Sequence, residues 1–343
     1  MIRMAIALVL SFGIVQLVGP TILKKLRELK IKQTIYELGP AHQQKQGTPI
    51  MGGFMMVIAV TVSSLVCHPA QWNGGWDFTL ALLAVSLLSM LVGLADDWIK
   101  AVKHRNLGLN AKQKLLGQVV VAIAFSCYCY FSPVVGSRII IPFVNVEWDL
   151  GIFYIPLMVL LMLFMINSAN LQDGLDGLMS TVTCVGSVGW CALAVCMSLA
   201  GLDGNTPASQ LGSIAVFALT LTGATMGFLR FNYYPAKVFM GDMGSMFLGG
   251  AVVGMAMLLR QPVLLLFMSI GPVLSSLSVM LQRGYFKYTK KKYGEGRRIF
   301  KMSPLHHHFE KCGLTEPQII KLYGVVTGIL SIVAVCSTGL KLW

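Results

Sequence analysis

The chain is expected to fold as an all-α polytopic integral membrane protein. Of its 343 residues, 55% are hydrophobic and only 12% charged. Its mean hydropathy is +0.71, and apolar runs long enough to cross about 30 Å of hydrocarbon recur along it. A soluble globule carries about a quarter charged residues, so that class is excluded.

Taken in order, the runs predict about ten spans, centred near Val9, Val57, Ser86, Ala122, Val159, Ser187, Leu219, Gly250, Ser269 and Thr327. The first is followed, not preceded, by Lys24, Lys25 and Arg27 and has no small-residue cleavage site. It therefore reads as a retained helix with the amino terminus outside. Threading the spans alternately gathers the loops near 23–49, 96–114, 168–177, 229–242 and 283–321 on one side. Those loops hold all but four of the 27 Lys and Arg and all but four of the 14 Asp and Glu, so the formal charge of +13 sits on one face. The positive-inside rule makes that face cytoplasmic and puts both termini outside.

The whole chain, 1–343, is expected to form a single transmembrane catalytic domain served by those loops. A pI near 9.4 also suits a nucleic-acid binder, but the cations sit in short loops between spans, which favours anionic membrane lipid and an anionic substrate and no nucleic acid. The aromatic and basic stretch from Lys287 to Tyr293, continuing to Arg297 and Arg298, reads as an interfacial segment, or as a plain solvated loop. The eight cysteines show neither zinc spacing nor a disulfide framework. Small-residue pairs such as Gly223 with Gly227, Gly250 with Gly254 and Gly324 with Gly328 suit close helix packing. On the outer side, Arg138 to Pro142 and Val144 to Trp148 form two short β-prone runs, a candidate hairpin.

The chemistry should lie where carboxylates gather. Asp96 and Asp97 end the third span, and two adjacent acids repel unless a cation is near. Neighbours on a helix point about 100° apart, so the pair is expected to divide its work, one at the reacting centre and one orienting it, rather than chelate one ion together. Asn170, Asp173 and Asp176 recur at three-residue spacing; at a helix start they would project from one face as oxygen ligands, and helix capping is the alternative for each taken singly. Gly241 and Gly244 punctuate a turn into the eighth span, around Asp242, where a carboxylate can bind Mg²⁺ and helix-start amides can face phosphate; an ordinary capped turn is the alternative. His306, His307 and His308 stand in a basic loop and suit metal or phosphate chemistry, with surface imidazoles as the alternative. Hard oxygen ligands beside Lys45, Lys112 and Lys114 favour Mg²⁺, or Mn²⁺, meeting a polyanion, and hence phosphoryl transfer. Transport would place ionisable groups at mid-bilayer; here they sit at span ends.

Five motifs in order, Gly47 to Gly53, Ala95-Asp96-Asp97, Asn170 to Gly177, Phe239-Met240-Gly241-Asp242 and Pro304-Leu305-His306-His307-His308, closely resemble the phospho-N-acetylmuramoyl-pentapeptide transferases, the bacterial translocase I family of the polyprenyl-phosphate N-acetylhexosamine-1-phosphate transferase superfamily. The resemblance covers nearly the whole chain, and a sister transferase acting on UDP-GlcNAc is the nearest alternative. It implies transfer of phospho-MurNAc-pentapeptide from UDP-MurNAc-pentapeptide to undecaprenyl phosphate with Mg²⁺, giving lipid I and UMP for peptidoglycan biosynthesis, in a plasma-membrane enzyme with a cytoplasmic active site. On matching positions, it implies Asp242 as metal ligand, Asp96 and Asp97 at the polyprenyl phosphate, and His306, His307 and His308 at the diphosphate. Asn170, Asp173 and Asp176 would hold the nucleotide sugar or tune the metal, Lys112 would bind phosphate, and Phe239 and Lys45 would border uridine. Thr48, Asn232, Gly241, Ser245 and Gln282 complete the implied substrate site, and a homodimer is consistent with the family. Ile50 stands where the family often carries a second threonine, so that hydroxyl contact is missing here.

Overall fold

The computed structural model describes residues 1–29, 47–68, 77–102, 108–200 and 206–339. The helices are α1 (Ile2–Glu28), α2 (Gly53–Val66), α3 (Phe78–Val102), α4 (Ala111–Phe131), α5 (Tyr154–Gln172), α6 (Leu178–Ala200), α7 (Ala208–Asn232), α8 (Gly241–Leu258), α9 (Leu265–Met268), α10 (Ile270–Tyr293), α11 (Leu305–Lys311) and α12 (Glu316–Gly339). Among the described residues, eight helices are long and apolar enough to cross a membrane. A ninth span results if Pro262–Met268 and α10, bent by 91°, count together.

Two of the expected spans therefore differ from simple crossings. At about 1.5 Å per residue, α2 reaches roughly 21 Å, short of a hydrocarbon core. The segment before it is committed instead to pairing with the approach to α8: Phe239 donates its N–H to Pro49 O at 2.9 Å, and Gly52 donates to Phe239 O at 2.8 Å. The run centred near Ser269 breaks at that residue, whose φ of −128° and ψ of 35° are not helical.

The centre of the bundle is α8. Every residue from Met243 to Leu258 is buried, as the helix packs against α2, α3 and α5. Small residues permit this. A Cβ at Gly250 would stand 2.6 Å from Ser89 Oγ, and one at Gly254 would stand 2.9 Å from Val85 Cγ1, so larger side chains would push α3 away. Around that core, α1 lies against α7, α7 against α6, and α6 against α12.

The candidate hairpin forms: β1 (Arg138–Ile141) pairs antiparallel with β2 (Val146–Asp149), in the register Arg138 to Asp149 and Ile141 to Val146. It docks on the carboxyl end of α8, where Ile140 donates its N–H to Arg260 O at 2.8 Å. Asp149, beside the turn into α5, has its carboxyl held below the usual range by hydrogen bonds from Ser137 and the Gly151 amide. At the opposite end of the bundle, the close of α3, the start of α4, the close of α5 and the start of α8 meet.

Candidate active site

The site is built around the first turn of α8. Gly241 has φ of +76°, and a Cβ there would stand 2.5 Å from Asp97 Oδ2, so both the backbone and the space call for glycine. That turn places Asp242 in the first turn of α8, where the helix amides favour a carboxylate. Asp242 Oδ2 accepts hydrogen bonds from Lys100 Nζ and Lys114 Nζ at 2.9 Å each, and its Oδ1 accepts from Asn170 Nδ2 at 2.9 Å. Asn170 is itself held: its Oδ1 accepts from Lys114 Nζ at 3.2 Å, and its Nδ2 reaches Ser245 Oγ at 3.0 Å.

Asp96 and Asp97 are buried near the close of α3. Each commits one oxygen to backbone in its own direction. Asp96 Oδ1 accepts from the Leu109 N–H at 2.8 Å, and Asp97 Oδ2 accepts from the Met243 N–H at 3.0 Å. Their other oxygens both face Lys100 Nζ, at 2.6 and 3.8 Å. Asp96, Asp97 and Asp242 each offer an oxygen within 4.8 Å of the others. One oxygen of each acid thus points in its own direction while the other faces the shared centre, because rotation about short side chains overcomes the angle between neighbouring positions. Of the helix-start amides expected to face phosphate, that of Met243 is taken by Asp97. Three hard carboxylates against two ammonium groups leave an excess of negative charge, a donor set that fits a divalent cation such as Mg²⁺.

The Asn170 cluster is organised differently from its spacing. It lies at the close of α5, not at a helix start: Asp173 caps that helix, and Gly177, with φ of +75°, turns the chain into α6. Asn170 faces Asp242, whereas Asp176 is buried away from it, its Oδ2 accepting from the Ala236 N–H at 2.9 Å and its amide donating to Glu316 Oε2 at 3.2 Å. Asp173 lies between them. Its carboxyl is raised well above the usual range, first by burial and then by the nearby charges of Asp242, Asp97 and Asp176.

The histidines point three ways. His306 is fully buried, with neither ring nitrogen hydrogen-bonded to the described residues; a Cβ at Gly174 would meet its Nε2 at 2.5 Å. Burial, then the neighbouring His307, depress its pKa well below the usual value, so this imidazole is neutral. His307 Nδ1 pairs with Glu310 Oε2 at 2.5 Å, with its ring 4.4 Å from that of His306. His308 Nδ1 instead accepts the Lys301 amide at 3.1 Å.

Among the other anticipated residues, Thr48 and Phe239 are half-buried in the paired segments ahead of α2 and α8, and Ile50 is buried beside them. Asn232 bridges Ser180 Oγ and Val238 O at 3.0 Å each, supporting the turn from beneath. Gln282 is occupied with backbone, its Oε1 accepting from the Ile299 and Phe300 amides at 3.0 Å. Lys112 is exposed on α4; the ammonium at Asp242 is that of Lys114, two residues onward. Lys45 lies outside the described residues. Sequence reasoning did not single out Lys100, although its positions relative to Asp96 and Asp97 share one helix face. Gln118 with Asn167, joined at 2.8 Å, gave no signal beyond polarity inside apolar runs.

Residues 79–260 match glycosyl transferase family 4. The chain is 39% identical to the phospho-N-acetylmuramoyl-pentapeptide-transferase of Clostridium botulinum (strain Alaska E43 / Type E3) over 95% of its own length and 94% of that protein's. It is 38% identical to the protein of that name from Clostridioides difficile (strain 630), covering 95% of each, and 39% identical to that from Halalkalibacterium halodurans, covering 96% of each. Since this similarity runs through every element that builds the carboxylate centre, the chain belongs to the phospho-N-acetylmuramoyl-pentapeptide transferases, within glycosyl transferase family 4.

Proposed function

We propose that this chain transfers phospho-MurNAc-pentapeptide from its UDP carrier to undecaprenyl phosphate, releasing UMP and forming lipid I for peptidoglycan, at the cytoplasmic face of a bacterial plasma membrane. The observation that carries the reading is the convergence of Asp96, Asp97 and Asp242 within 4.8 Å at one end of the bundle, in a chain whose relatives bear the transferase name.

In this reading Asp242, its carboxylate oriented by Asn170, would hold a Mg²⁺ ion. Such an ion would supply positive charge for the diphosphate oxygens and for the departing UMP. Lys100 and Lys114 exchange their Asp242 contacts for phosphate oxygens as substrate enters. A phosphate monoester has a second pKa near about 6, so the acceptor is already largely ionised at neutral pH. Asp96 and Asp97 therefore act by positioning it more than by removing a proton, and the acceptor attacks the sugar-linked phosphorus directly. His307 lines the side of the Asp173 loop and donates to diphosphate oxygens, with buried, neutral His306 packed beside it against Gly174.

The test uses purified, detergent-solubilised protein with undecaprenyl phosphate and UDP-MurNAc-pentapeptide, with and without Mg²⁺. UMP release and lipid I that require both the metal and Asp242, lost in Asp242→Ala, are expected. Turnover of UDP-GlcNAc in place of the peptide donor would refute the substrate assignment, and a phosphorylated aspartate trapped in the absence of acceptor would refute direct attack.

A further inference from the structure

Beside the three-histidine helix lies an open cavity of about 590 Å³, between α10 and the segment leading into α11. Five cationic side chains line it, Arg283, Lys287, Arg298, Lys301 and Lys311, together with Phe286, and none of its described lining residues is acidic. Like charges gathered in a concave space repel one another and raise the local potential, so the arrangement favours an anionic occupant. Among the described residues none of the five has a carboxylate partner: the Lys301 ammonium is turned to Lys311 O at 3.1 Å, a carbonyl that leaves its charge unneutralised.

The cavity is coupled to the active site by its walls. Ser303, in its lining, directly precedes Pro304, which caps α11. The Lys301 amide bonds His308, and Gln282, also in the lining, holds the backbone of Ile299 and Phe300. From His306 the contact runs on to Gly174, in the loop shared with Asp173. The cavity is thereby joined to the carboxylate side of the site through α11 and the loop carrying Gly174 and Asp173.

We infer that the cavity formed by Arg283, Lys287, Arg298, Lys301 and Lys311 receives the carboxylate-bearing peptide of the donor. The inference rests on the transferase reading above, since the relatives' name specifies a pentapeptide and every unmodified peptide ends in a carboxylate. A cavity of several hundred cubic ångströms suits a ligand of peptide size. Guanidinium groups bind carboxylates with two parallel hydrogen bonds, and arginine and lysine are not equivalent in that role. An anionic lipid headgroup would also meet the charge, but the cavity's shared walls with α11 favour the donor.

The test compares two donors, the UDP-MurNAc-pentapeptide and the same molecule with its peptide carboxylates amidated, in vesicles with and without anionic lipid. The readout is the ratio of their kcat/KM values. The unmodified chain is expected to prefer the carboxylate donor, through KM, and the triple variant Arg283→Gln, Lys287→Gln, Arg298→Gln to lose about tenfold of that preference, exposed ion pairs each being worth a few-fold. A single Arg283→Lys is expected to retain part of it, which separates charge from folding. Equal loss on both donors, or no change in the ratio, would overturn the inference; loss confined to vesicles containing anionic lipid would overturn it in favour of a headgroup. Turnover of neither donor by the unmodified chain would overturn the transferase reading itself.

Discussion

The two ends of α8 carry opposite charges to opposite purposes. At its carboxyl end, Arg260 is 2% exposed, pairs with Glu147 Oε1 at 2.9 Å and donates from Nε to Arg138 O at 3.2 Å. Two arginines there, Arg260 and Arg138, meet two carboxylates, Glu147 and Asp149, and the result is a clamp holding the hairpin to the helix end. At the amino end, three carboxylates share two ammonium groups. Charge that balances within the chain serves stability. Charge left in excess at an opening is available to a ligand, which is the physical difference between the clamp and the candidate active site.

The sharpest break of that comparison is Asp242→Asn, which keeps the shape of the amino end and removes its charge. Turnover should fall about a thousandfold or more, as when a preorganised charge at the reacting centre is deleted, measured as UMP release at saturating Mg²⁺. The converse substitution, Arg260→Met, should cost about 1–2 kcal/mol of stability by removing the donor to the Arg138 carbonyl, while Glu147 keeps Arg138 as a partner. Denaturation in detergent would register the loss, while kcat of the folded fraction stays level; a comparable fall in kcat would mean the two ends are not independent.

Smaller effects follow from titration. His306 is neutral in the folded chain, whereas an unfolded chain takes up a proton near pH about 6.5. Stability contributed by the neutral ring is thus present above that pH and lost as pH falls below it. His306→Gln should flatten the decline in thermal midpoint between about pH 7 and 5. A steeper decline would contradict the burial argument. Asp173 has the opposite sign: its raised pKa means the folded chain holds a proton that the unfolded chain has released, so this group destabilises the fold as pH rises above about 4. Asp173→Asn should raise the thermal midpoint at neutral pH by a modest amount and weaken dependence on Mg²⁺, the smallest change of the series. No gain in stability would mean that neither burial nor the nearby charges raise the Asp173 carboxyl.

Several of these groups were legible in the chain itself, and others were not. Composition and apolar runs anticipated a helical membrane bundle and even the hairpin, because hydropathy and strand propensity are local properties. Asp242 and Gly241 were legible because a turn entering a helix has a local signature. For the Asn170 cluster a helix start was only one reading, since its spacing is compatible with either end of a helix, and Gly177 had to be seen turning the chain to place it at the close of α5. Lys112 and Lys114 were both read beside the acidic clusters, and only the rotation of α4 shows that Lys114 is the one reaching Asp242. The three histidines read as one tract, yet packing sends His306 inward against Gly174, ties His307 to Glu310 and gives His308 to the Lys301 amide.

By itself, then, the sequence determined the class of fold, the approximate positions of most of its crossings and the acidic clusters that do not belong in apolar helices. Each follows from the free energy of a residue with its near neighbours and solvent. Tertiary structure alone decided that Asp96, Asp97 and Asp242 share one centre, that two lysines answer three carboxylates, that α10 bends away after Ser269, and that five cations face one cavity. Those are matters of helix rotation and close packing between segments far apart in the chain, where a small residue such as Gly250 or Gly241 sets how near two backbones come, and nothing in the local pattern records the partner on the other side.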